Sequence, residues 1–175
     1  MKKKCNANKF FIIKKKGDEF MNRLEKIREI VNGVLMDNSD LEERQCGFVH
    51  LYGVSSICRL LALKRGLDEE LCGIAGMLHD ISSYKLGYNL DHSKLGSIES
   101  RKILNEVRCF DEEEIDIICK SIYNHSNKQE IHSVYDEILK DADVLQHYLN
   151  NPNFKVEEKE KIRLNDLFRE LGISL

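Results

Sequence analysis

The chain has 175 residues, 42% hydrophobic and 33% charged, with a net charge of −3, a balance that suits one domain with a real core. No run approaches 18 consecutive apolar residues, so no transmembrane helix is expected, and the Lys-flanked run Phe10-Phe11-Ile12-Ile13 is too short for a signal-peptide core. A cytoplasmic protein is the expectation. Residues 1–16 contain seven lysines and no acid, which leaves the rest of the chain strongly acidic and argues against nucleic-acid binding.

In chain order, residues 1–18 read as a basic, disordered tail, and 19–175 as one domain. A first amphipathic helix spans 19–37, with Phe20, Leu24, Ile27, Val31 and Val34 on one face. Ser39-Asp40-Leu41-Glu42 reads as a capping box that opens a helix to Arg65, with Gly66 at its C-terminal stop. Its apolar face is Cys46, Val49, Gly53, Val54, Ile57 and Leu61. Asp68 caps a short helix ending near His79-Asp80, in which Gly73 and Gly76 permit another helix to approach closely.

A loop is expected over 82–90, then a helix from Asp91 to about Val107. Asp111, with Glu112, Glu113 and Glu114, starts a helix to about His125, its acids at the positive end of the dipole. Ser133 starts another, to about Leu149. Pro152, the one proline, marks a break, and a last helix covers 156–172. The result is an all-α chain of about seven helices with no strand. The last helix is amphipathic through Ile162, Leu164, Leu167, Phe168 and Leu171, and packs on its own domain or, as the alternative, on a second subunit in a homodimer. The six cysteines (Cys5, Cys46, Cys58, Cys72, Cys109 and Cys119) form no C-x-x-C pair and read as reduced, buried thiols.

His50, taken alone, reads first as a core histidine, and a single His-Asp pair at 79–80 is a weak signal. The ensemble says more. His50 lies on a helix face, His79-Asp80 and His125 stand at helix ends, and Asp143 lies inside an apolar helix, where a carboxylate is costly to bury unless it meets a cation. Two imidazoles and two carboxylates from three helices suit a divalent transition metal better than calcium.

The order H…HD…D, carried by His50-Leu51-Tyr52-Gly53-Val54, Ala75-Gly76-Met77-Leu78-His79-Asp80-Ile81 and Asp141-Ala142-Asp143-Val144-Leu145, resembles the HD superfamily of metal-dependent phosphohydrolases over about residues 40–150. The resemblance implies a single HD-domain helical bundle. It implies His50, His79, Asp80 and Asp143 as metal ligands, with Asp141 orienting a ligand from behind. It implies one or two divalent ions of manganese, iron, cobalt, nickel or zinc. A second ion would use His92 and His125, with Asp80 bridging.

Asp80, His92, His125 and Lys85, the last in the loop after the HD pair, are the expected catalytic groups. The expected substrate is a small phosphorylated metabolite, such as a nucleotide, cleaved at a phosphate ester or anhydride by metal-activated water. Ser83 stands where some relatives carry a catalytic lysine, the GYP extension of cyclic-dinucleotide phosphodiesterases is missing, and no synthetase domain follows. A di-iron oxygenase and a non-catalytic nucleotide-binding regulatory module are the other classes. His132 and His147 match nothing in the pattern and read as surface residues.

Overall fold

The computed structural model describes residues 22–87, 90–150 and 156–174, and they form eight helices. These are α1 (Arg23–Asp37), α2 (Leu41–Arg65), α3 (Glu69–Leu78), α4 (Ile81–Leu86), α5 (His92–Val107), α6 (Glu112–Asn124), α7 (Val134–Asn150) and α8 (Glu158–Leu171). No strand occurs among the described residues. The basic tail, Phe20, Tyr88 and Pro152 lie outside them. The eighth helix is α4, in the segment expected to be a loop. Gly87, at φ 72°, closes it with a backbone N–H to the Ser83 carbonyl, so the glycine that suggested a loop is instead a helix stop.

Asp40, not Ser39, caps α2, its side chain accepting from the Glu42 and Glu43 amides. Asp68 caps α3 in the same way, and Asp111 with Glu114 forms a full capping box on α6.

α2 and α3 form the most extensive helix pair, and α7 covers another side of α2. At Gly76 an added Cβ would stand 2.8 Å from the Ser55 Cα, so only glycine allows α2 and α3 this close. The buried arc of α2 is Gly47, His50, Leu51, Val54, Ser55, Cys58, Leu61 and Ala62. This arc is rotated from the expected face: Val49 and Cys46 are exposed. Two partner helices, rather than one, decide which side of α2 is covered. The expectation of buried thiols holds for Cys58, Cys72 and Cys119 but not for the exposed Cys46 or the half-buried Cys109, and Cys5 lies outside the described residues.

α2 is also 25 residues long, with an 18-residue window of mean hydropathy 1.5, which gives it the length and composition of a membrane span. Its apolar residues are interspersed with polar ones, so no unbroken apolar run marks it. Here α2 packs between α3 and α7 and carries His50 inward.

On α1 the buried residues are Leu24, Ile27, Val31 and Leu35, so the stripe runs through Leu35 while Val34 is half-buried. α8 buries Leu164, Leu167 and Phe168, packing on α7, while Ile162 faces outward. The termini of α3, α5 and α6 meet beside the middle of α2 and α7, and this convergence positions the site.

Candidate metal centre

α3 ends at Leu78. His79 keeps helical angles as its C-cap, and Asp80 then turns the chain into α4. This corner aims two adjacent side chains at the inward face of α2. Gly96 lets α5 press against the same corner, because a Cβ there would stand 2.7 Å from the His79 carbonyl oxygen. The first residue of α5 is His92, preceded by Asp91 in the left-handed region at φ 53°. A non-glycine residue held there is strained by roughly 1 kcal/mol or more, and here it sets the direction in which α5 enters the site. His125 caps the C-terminal end of α6.

Three imidazoles are fixed through Nδ1 to acceptor oxygens. His50 donates to Gln146 Oε1 (2.7 Å), His79 to the Gly76 carbonyl (2.9 Å) and His125 to the Ile122 carbonyl (2.6 Å). Each bond selects the tautomer that leaves Nε2 as the ligand atom. Nε2 of His50 and Nε2 of His79 then face each other at 3.0 Å.

Around them stand two carboxylates. Asp80 Oδ2 lies 3.5 Å from both nitrogens, and Asp143 Oδ1 lies 3.6 Å from His50 Nε2 and 3.8 Å from His79 Nε2. The other oxygen of Asp80, Oδ1, faces a second group: His125 Nε2 at 3.4 Å and His92 Nε2 at 3.8 Å. Asp80 thus spans two half-sites, one oxygen to each. Asp80 Oδ1 and Asp143 Oδ1 are buried without a hydrogen-bond partner. Imidazole nitrogens left as acceptors and one buried, unpartnered carboxylate oxygen in each half-site, Asp143 Oδ1 in the first and Asp80 Oδ1 in the second, call for a cation. The donors fall into groups whose atoms lie within 4.8 Å of one another, including His50-His79-Asp80 and Asp80-His92-His125, so the residues fit a bound metal.

The electrostatics agree. Burial drives His79 down to about 4, with Asp80 and Asp143 only partly offsetting it, so the ring is neutral at pH 7. Burial also works against a charged His50, but Asp80, Asp143 and Gln146 outweigh it and raise its pKa. For Asp143 burial opposes ionisation, and Lys128, followed by the surrounding histidines, overcomes it and holds the carboxyl far below its ordinary range. Lys128 Nζ binds Asp143 Oδ2 at 2.5 Å, which occupies that oxygen and leaves Oδ1 for the centre.

His50, His79, Asp80, His92, His125 and Asp143 are therefore brought together. Asp141 is not among them. It faces the opposite side of α7, where Arg65 and Arg163 each bind it at 2.6 Å. Lys85 is not among them either: its ammonium is paired with Glu99 at 2.5 Å, and it lines a neighbouring groove with Val34 and Ser39.

Four residues here gave no signal in the sequence pattern: Gln146, Lys128, Ser126 and His147. The Ser126 hydroxyl lies 2.9 Å from His92 Nε2 and 3.4 Å from His125 Nε2. His147 stacks on His50, with centroids 4.9 Å apart and planes 8° from parallel. Only Gln146 and His147 were within reach of helical periodicity, three and four positions after Asp143.

A cleft of ≈ 560 Å³ opens onto the centre, lined by Asp40, Cys46, His50, Asp80, Ser83, Tyr84, Gln146 and His147 among others. That is a size for a small metabolite. No lysine or arginine lines it among the described residues.

A family model for the HD domain matches residues 47–148. The chain belongs to the HD-domain family. Its fold is similar to that of a solved structure from an uncultured Thermotogales bacterium, described as a predicted HD superfamily hydrolase. That likeness has a TM-score of 0.58 and 21% identity, covering 85% of this chain and 87% of that one. No curated protein matches it.

Proposed function

We propose that this HD domain is a metal-dependent hydrolase of a small phosphorylated metabolite, a nucleotide being one such compound. The observation that carries the reading is the pair of orphan buried oxygens, Asp80 Oδ1 and Asp143 Oδ1, set against converging imidazole nitrogens. His50, His79, Asp80 and Asp143 would hold one ion, and Asp80, His92 and His125 a second. Ions bound there supply an acidified water and positive charge for phosphoryl oxygens.

The residues of the chain do the rest. Gln146 and the carbonyls of Gly76 and Ile122 hold three rings in the ligating tautomer. Lys128 restricts Asp143 to one free oxygen. His92, half-exposed beside the buried Asp80 Oδ1, is placed to meet the substrate. Among the described residues no lysine or arginine lines the cleft, and there phosphate charge would be met by the ions and these imidazoles. That favours one or two phosphates over a long polyphosphate.

The test is elemental analysis of untagged protein beside His79→Ala and Asp80→Ala, followed by a phosphoester screen with the metal found. One or two equivalents, lost in the variants, with phosphate release by the wild type alone, is the expected result. A wild type that takes up no added metal overturns the reading. Dioxygen uptake by the iron-loaded protein without phosphate release would assign an oxygenase instead.

A further inference from the structure

We propose that His147 is a further protein ligand of the ion held by His50, His79, Asp80 and Asp143, which makes that position a five-donor site. The inference rests on the metal-centre reading above and adds a residue outside the H…HD…D pattern.

His147 lies four residues after Asp143 on α7, so the two side chains leave the same helix face one turn apart. This is the spacing by which a single helix presents two ligands to one ion. The resulting geometry is specific. His147 Nε2 lies 3.7 Å from Asp143 Oδ1, between the 3.6 Å and 3.8 Å at which His50 and His79 approach the same oxygen. That oxygen is buried and has no hydrogen-bond partner. His50, Asp143 and His147 present ligand atoms within 4.8 Å of one another.

A side chain with 47% exposure is free to turn its ring to solvent, at less entropic cost than being fixed. His147 instead lies flat on His50, with its Nε2 toward the shared carboxylate. Two donors each about 2.1 Å from one ion at a right angle lie about 3 Å apart, so ligation requires the His147 Nε2–Asp143 Oδ1 distance to shorten by less than about 1 Å and the His147 ring to turn out of its parallel stack on His50 until the ion lies in both ring planes.

The donor count then divides the labour between the two positions. The first ion receives three imidazoles and two carboxylates, one short of an octahedron. The second receives His92, His125 and the other oxygen of Asp80, and keeps most of its positions for water and substrate. Five protein donors suit manganese, iron, cobalt or nickel better than a four-coordinate zinc site.

The experiment is titration of metal-free protein with cobalt(II), followed by visible absorption, for wild type, His147→Ala and His147→Asn. The thermal midpoint of each metal-free protein reports its fold. Loss of a ligand is expected to lower affinity for the tightly held ion by about tenfold or more. It should also change the shape and intensity of the cobalt bands as coordination falls. Added imidazole should restore the wild-type spectrum in His147→Ala. Variants that bind cobalt with wild-type affinity and spectrum overturn the inference and leave the metal centre standing. A wild type that binds none overturns both.

Discussion

Asp141 and Asp143 sit two residues apart on α7, both nearly buried, and their surroundings are opposite in kind. Both oxygens of Asp141 are taken by guanidinium groups, Arg65 on Oδ2 and Arg163 on Oδ1. The network continues outward, Arg65 to Glu170 and Arg163 to Glu137 and the Lys128 carbonyl. Asp143 has one oxygen on Lys128 and one with no hydrogen-bond partner. A saturated buried carboxylate joins helices, whereas a half-saturated one facing imidazoles awaits a cation. The comparison teaches that satisfaction of its oxygens, not burial, separates a structural acid from a ligand.

The largest effect that would sharpen this contrast is expected at Asp80. Asp80→Asn weakens the carboxylate whose two oxygens face the two half-sites, and elemental analysis should show both ions lost and hydrolysis at background. Next is Asp141→Asn, which leaves Arg65 and Arg163 facing a neutral amide. It should lower unfolding free energy by about 3 kcal/mol, the low end for breaking a buried pair because both arginines are partly exposed. Urea unfolding measures it, and metal content should stay at wild type; loss of metal instead would break the division between the two acids.

Gln146→Met removes the acceptor that sets the His50 tautomer, and metal affinity should fall by about tenfold to a hundredfold with the fold intact. Gly76→Ala forces α2 and α3 apart and should cost about 1–3 kcal/mol, read in the same urea experiment.

The smallest effect is that of pH. His50 must lose its proton to ligate, and Asp80 and Asp143 raise its pKa, so protons compete with metal at a higher pH than they would at a free imidazole. Metal affinity should weaken as pH falls through neutrality, by at most about tenfold per unit for this one proton. A titration from pH 8 to pH 6 would show it.

The six centre histidines and acids were legible through the family pattern, to which capping and periodicity added only that each stands at a helix end or on a helix face. Asp143 was separable from Asp141 only through the family pattern, since both occupy one apolar helix and only the arginines of other helices decide between them. Lys85 looked suitable because it follows the HD pair closely, yet α4 winds its side chain toward Glu99. Periodicity in one helix cannot report such a partner fourteen residues away. Lys128 and Ser126 lie in the irregular segment after α6, where no period applies. His147 is exposed, as expected of a surface residue, and its stacking on His50 is what sets it apart.

The HD-domain match ends at residue 148, but the packed core does not. α8 follows it, seals the core with Leu164, Leu167 and Phe168, and through Arg163 clamps the carbonyl of the residue whose ammonium holds Asp143. Sequence drift in α8 would go unnoticed by a motif centred on the ligands, yet it would reach the metal through two intervening bonds. The tuning of this centre can therefore diverge among relatives whose ligands are identical.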